Sequence, residues 1–214
     1  MIPNRPFRSP PANARGKLLE AGIKLVRANG FAATSVDQLC AEAGVTKGAF
    51  FHHFPSKEAL GVALADYWSH STGAFFADAP FHALPDPLDR VLGYIDLRIA
   101  LLDGPPEAFS CVAGTMVQEV FGSSEAIRIA CEESILGNAR VLEDDIALAL
   151  AERGAEGVSA HSLAQFVQVA IQGAFVLAKS RGEGIAAETA REQLGHLRRY
   201  FELLFAHAGE ENLP

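Results

Sequence analysis

Cysteine is scarce and carries no pattern. Cys40, Cys111 and Cys131 are the three in 214 residues and lie far apart, which excludes a paired disulfide framework and a CxxC-type zinc site. A reducing compartment suits them. No apolar run approaches the roughly 20 residues that cross a membrane. Residues 1–11, with four prolines, lack the apolar core of an export signal. The expectation is a cytoplasmic protein without membrane contact. Strand signals are missing too, since neither period-2 alternation nor Val/Ile/Thr/Tyr runs between turns occur. HExxH, a Gly-rich phosphate loop and GxSxG are likewise absent. The sequence therefore predicts no enzyme, no cofactor and no metal.

What is present is an uneven charge. The net −8 at pH 7 conceals a basic N-terminal quarter. Residues 1–60 carry eight bases (Arg5, Arg8, Arg15, Lys17, Lys24, Arg27, Lys47, Lys57) against four acids (Glu20, Asp37, Glu42, Glu58), leaving 10 bases and 22 acids for residues 61–214. A basic head on an acidic body fits a nucleic-acid contact confined to one end.

Apolar residues recur at helical spacing throughout, broken by Gly and Pro. The pattern predicts an all-α chain of about nine helices, at 12–29, from 34 or 35 to 43, 47–53, 57–78, 87–103, 107–121, 125–153, 159–181 and 187–207. Residues 1–11 read as a disordered arm, 12–60 as one domain and 61–214 as a second. Ser35 and Gln38 have capping-box spacing, with Thr34 as the rival cap. The second and third helices are joined by the short turn Ala43-Gly44-Val45. That is the layout of a helix-turn-helix, whose second helix enters the DNA major groove. Residues 46–55 suit that role, because they hold Lys47, His52 and His53 and no carboxylate. Any small three-helix core with a Gly turn would give the same spacing.

The residues themselves go further. Gly30-Phe31, Thr34-Ser35, Ala43-Gly44-Val45, then Lys47-Gly48-Ala49-Phe50-Phe51-His52-His53-Phe54-Pro55-Ser56-Lys57-Glu58-Ala59-Leu60 stand in fixed order. This stretch resembles the N-terminal domain of the tetracycline-repressor (TetR) family of bacterial transcription regulators. The resemblance is detailed over about residues 12–65 and extends to the rest only in layout. It implies an N-terminal helix-turn-helix DNA-binding domain followed by a helical ligand-binding and dimerisation domain.

The same resemblance assigns residues. Thr34 or Ser35 becomes a phosphate contact at a helix N-terminus. Thr46, Lys47, Gly48, Ala49, His52 and His53 become the DNA-facing positions of the recognition helix, and Lys57 a further phosphate partner. Phe51 stands where the family usually has Tyr, so a hydroxyl contact to phosphate is lost there, though the ring can still pack on sugars. Arg5 and Arg8 on the arm are in reach of a minor groove, but the arm is expected to be disordered without such a role.

In the body, Leu194, Leu197, Phe201 and Leu204 form a 3-4-3 seam, matched by Phe166, Ala170, Ala174 and Leu177. These faces pack either within the monomer or between copies, and the resemblance favours a two-fold four-helix bundle. Trp68, Tyr94, Phe109, Met116 and Phe175, with the polar Gln118 and Gln172, are the expected effector contacts, because small-molecule cavities are mostly apolar with a few polar anchors. Cys111, expected to open a helix whose N–H groups favour a thiolate, completes that set.

The reading is a ligand-responsive regulator with double-stranded operator DNA, a small-molecule effector and a second copy of itself as partners. The alternatives are a thiol-based electrophile or redox sensor acting through Cys111, and a helical ligand-binding dimer without DNA function.

Overall fold

The structure, a computed structural model, describes residues 13–181 and 184–207. The arm with Arg5 and Arg8 lies outside the described residues. Among these there are ten α-helices and no strand: α1 (Ala14–Asn29), α2 (Val36–Ala43), α3 (Lys47–His53), α4 (Lys57–Ala77), α5 (Pro87–Ala100), α6 (Pro106–Phe109), α7 (Val112–Val120), α8 (Glu125–Arg153), α9 (Ala160–Arg181) and α10 (Ala186–His207), with a 3-10 turn at Pro80–Ala83.

Two elements differ from the sequence reading. The single helix expected over 107–121 is two, because Cys111 takes an extended backbone and its Sγ accepts the Gly114 N–H at 3.3 Å, capping α7 afresh. The helix after Pro87 stops at Ala100, and the guanidinium of Arg191 donates to the Leu102 carbonyl just beyond it.

The chain divides into two compact units. The first contains the described residues up to Phe75 together with Ser110–Ile135, so it reaches past residue 60 and takes in most of α4, all of α7 and the start of α8. Its core joins Leu18, Leu19 and Val26 of α1 with Leu39, Phe50, Phe54, Leu60, Leu64, Met116 and Ile127. Gly22 permits a close approach, since a Cβ there would meet Leu64 Cδ2 at 2.8 Å. Caps set the short helices. Ser35 Oγ accepts from Gln38 N and Gln38 Oε1 from Ser35 N, the predicted capping box. Gly44 closes α2 in the left-handed region at φ 63°, which only glycine adopts without strain. Thr46 Oγ1 then caps α3 by accepting from Ala49 N.

The second unit contains Phe76–Phe109 and the residues from Leu136 on. Here α9 lies along α10, α5 packs on α10 and α6 on α9. Asp86 caps α5 and also pairs with Arg153 at 2.5 Å, while Arg90 meets Asp145 at 2.7 Å. Hydrogen bonding to Arg153 holds the Asp86 carboxyl below its ordinary range. By length and composition α9 is apolar enough to cross a membrane. It nonetheless buries Leu163, Val167, Ile171 and Phe175 along one side.

Candidate nucleic-acid interface

The α2–α3 pair presents a continuous polar edge. Ser35, Thr46, Lys47, Gly48 and His52 are exposed, Ala49 and His53 are half-buried, and Phe51 is 50% exposed. Phe50 and Phe54 are turned into the core, at 0% and 3%. Alternation of this kind leaves one face of α3 for an external partner. Lys47 Nζ lies 2.9 Å from Asp37 of α2, and this hydrogen bond raises its pKa. The lysine is thus a full cation, held over the turn by Asp37. Gly48 is informative by what surrounds it: a Cβ there would meet nothing nearer than Thr46 Oγ1 at 3.8 Å. Nothing inside this chain requires a glycine at that position.

One expected contact, Thr34, is corrected, and a second, Lys57, has partners inside the chain. Thr34 is 1% exposed and its hydroxyl donates to the Gly30 carbonyl at 2.6 Å, so it closes the α1–α2 turn and presents no hydroxyl to a phosphate. The cap role falls to Ser35, which is exposed. Lys57 is half-buried: its Nζ donates to the Ala32 carbonyl at 3.1 Å and lies 4.6 Å from the Phe31 ring centre. Burial lowers its pKa. It serves the fold before it serves a ligand.

A residue that sequence reasoning missed completes this turn. Glu119 of α7 accepts the Ala32 N–H at 2.7 Å, so the peptide units at Ala32 are gripped through the N–H by Glu119 and through the carbonyl by Lys57. Gly30 sits against the same carboxylate, where a Cβ would come within 2.1 Å of Glu119 Oε1. Glu58 accepts from the Ser124 hydroxyl on the other side of the α7–α8 corner. Contacts 66 and 87 residues apart in sequence leave no local signal.

The expected effector residues are divided. Trp68, Cys111, Met116 and Gln118 fall in the first unit and Tyr94, Phe109, Gln172 and Phe175 in the second. Trp68 and Met116 belong to the first unit's core, at 7% and 0% exposure. Gln118 is exposed and spends its amide on the Gly114 carbonyl within α7. In the second unit Phe109 meets Phe175 with ring centres 6.0 Å apart, Tyr94 is buried and Gln172 is half-buried.

The expected dimer seam is also corrected in part. Leu194, Leu197, Phe201 and Ala174 are buried within this chain. They join α10 to its neighbours in the same unit, and Ala170 and Leu204 are half-buried. What faces outward keeps the expected Phe166 and Leu177 of α9 and adds Val169, Gly173 and Val176, with Tyr200 and Leu203 on α10. Phe166 and Tyr200 meet edge to face at 5.2 Å.

The fold and this exposed helix pair define a helix-turn-helix DNA-binding protein. Residues 18–64 match the tetR family of bacterial regulatory proteins, and residues 87–193 match the C-terminal domain of LmrA/YxaF-like transcriptional regulators. The chain belongs to the TetR family of transcription regulators. It is 25% identical to the HTH-type transcriptional regulator LmrA of Bacillus subtilis over 166 residues, 77% of this chain and 86% of that protein. With the uncharacterized HTH-type regulator YerO of the same organism it shares 40% over 52 residues, 24% of this chain and only 18% of that protein's length. The crystal structure of reduced Escherichia coli NemR superposes with a TM-score of 0.71 at 25% identity, covering 87% of this chain and 96% of that one. NemR is described as an HTH-type transcriptional repressor.

Proposed function

We propose that this chain is a one-component cytoplasmic repressor: a homodimer that binds a roughly palindromic operator through α3 of each copy and releases it when a small molecule binds the body. The observation that carries the reading is the exposed face of α3, with Lys47 charged and Gly48 open to an approaching backbone. DNA contacts come from Ser35, Thr46, Lys47, Gly48, Ala49, Phe51, His52 and His53. The second copy covers the apolar stripe of α9 and α10 around Val169, where exposure reaches 66%. An effector acts by favouring a conformer whose two α3 helices no longer match successive grooves. Helices α4 and α8 each contribute residues to both units and, with the link between Phe109 and Ser110, are the covalent routes for that shift.

Selection from random duplex DNA tests the reading. It should enrich an inverted repeat whose half-sites lie about one helical turn, ~10 bp, or multiples apart. Enrichment of nothing, or of a single unrepeated motif, would contradict it.

One observation favours a second route of control. Cys111 is half-buried with the Gly114 N–H directed at its sulfur, whereas Cys40 and Cys131 are buried. Burial pushes the Cys131 thiol up to about 12. Thiol modification would therefore select Cys111. N-ethylmaleimide should weaken operator binding by the wild type and not by Cys111→Ser; equal effects on both would remove this route.

A further inference from the structure

We infer that Arg98 on α5, with Tyr94 and Gln168, forms an anion-binding site in the second unit, and that the effector is an organic carboxylate with an apolar body. The inference rests on the effector-released reading above and names the chemistry of its ligand. The guanidinium lies over the Phe76 ring, 3.9 Å from its centre, and 5.0 Å from that of Tyr94. Its Nε and Nη2 both donate to Tyr94 Oη, at 2.9 and 2.7 Å. Gln168 on α9, 4% exposed, directs its Nε2 at the same oxygen from 3.4 Å. Tyr94 itself is 1% exposed.

The cluster is rich in donors and poor in acceptors. A guanidinium carries five N–H groups and accepts nothing. Two are spent on one phenol oxygen, and that phenol has a proton of its own to donate. Turning the Gln168 amide over would give the phenol an acceptor, and the guanidinium would still meet no carboxylate. Several other arginines of this unit have acceptors inside it, and Arg181 is exposed at the end of α9. Arg90 pairs with Asp145, Arg153 with Asp86, Arg198 with Asp96 and Glu202, and Arg191 donates to the Leu102 carbonyl. Among the described residues Arg98 has no acidic partner, although acids outnumber bases 22 to 10 over residues 61–214. A half-buried cation against aromatic rings, with N–H groups to spare in a planar fork, matches a carboxylate, which such a fork binds through two parallel hydrogen bonds. The rings of Phe76 and Tyr94 supply an apolar wall beside it.

Titration calorimetry on the full chain tests this with benzoate and hexanoate against benzamide and hexanamide, and against inorganic phosphate at matched ionic strength. The carboxylates should bind the wild type at least about tenfold tighter than their amides and than phosphate. Arg98→Met should lose that margin and Arg98→Lys keep part of it. Equal binding of acid and amide, which needs no variant, overturns the site, as does full benzoate binding by Arg98→Met or no carboxylate binding at all. Phosphate binding as well as benzoate overturns the organic class. Arg98-dependent benzoate binding that leaves operator affinity untouched upholds the site and overturns the effector-released reading instead.

Discussion

Gly48 separates fold from function more cleanly than any other residue here. Open space surrounds the position a Cβ would take, and its backbone is already helical. Gly48→Ala should therefore hold or raise stability by about 0.5 kcal/mol, as glycine-to-alanine changes at compatible helical sites do. If α3 reads DNA at close range, the same change should lower operator affinity at least about tenfold. Thermal unfolding and anisotropy titration of one protein sample give both numbers, and unaltered affinity would remove Gly48 from the interface. Glu119 makes the opposite case, because its carboxylate is engaged inside the chain and holds the turn that leads to the α2 cap. Replacing it with Leu leaves the Ala32 N–H without its acceptor and should cost about 1 kcal/mol. Glu119→Gln keeps an acceptor oxygen and should restore most of that stability and of operator affinity. Failure of Gln to do better than Leu would show that the carboxylate is not acting as an acceptor. Residue chemistry was partly legible beforehand. Ser35 with Gln38 and Thr46 announce their caps three positions ahead. Thr34 does not announce its burial, because a hydroxyl reads the same whether it faces water or the Gly30 carbonyl.

Among the elements, α9 and α10 carry the test of assembly. Their shared seam through Leu194, Leu197 and Phe201 is spent inside the chain, so in the proposed homodimer the outward stripe is the surface left for the second copy. Val169→Glu puts a charge at the most exposed apolar position of α9 and should leave the helix intact while producing a monomer by light scattering. A dimer that survives Val169→Glu and Leu177→Glu together would place the interface elsewhere. The start of α5 offers a pH test. Asp86 has a folded pKa below its ordinary value of about 3.9, so its pairing with Arg153 contributes above that value and is lost as pH falls from there through the lowered one. Asp86→Asn keeps the cap and removes the charge. It should destabilise by at most about 1 kcal/mol at pH 7, the pair being partly exposed, and the gap should close towards pH 3. A gap that widens with acid would contradict the assignment. Why some elements were legible and others not follows from the kind of signal. Spacing reveals which residues share a face and stays silent about what covers it, so the seam of α10 was readable and its partner was not. The break at Cys111 was legible only in part: Cys111 was expected to open a helix, yet buried residues continue across it from Phe109 through Val112 to Met116, which favoured one helix over 107–121.

At the scale of the whole molecule, a basic head joined to an acidic body organises the account. In the proposed regulator the acids of residues 61–214 repel DNA, while α3 and its cap present an exposed polar face suited to it. The all-α architecture and the helix-turn-helix were legible because their information is local, in caps, the Gly44 turn and helical periodicity. The ligand chemistry was not, since Arg98 and Gln168 come together only through the packing of the second unit. One measurement bears most directly on the claim that the α3 face binds an operator. Fluorescence anisotropy, using the DNA that flanks this protein's own gene with unrelated DNA as competitor, should be run at two salt concentrations on the wild type and on Lys47→Ala. Binding that resists competitor, weakens as salt rises because phosphate contacts release counterions, and falls at least about tenfold in Lys47→Ala is the predicted result. Binding indifferent to salt and to Lys47, or no preference for the flanking DNA over competitor, would contradict it.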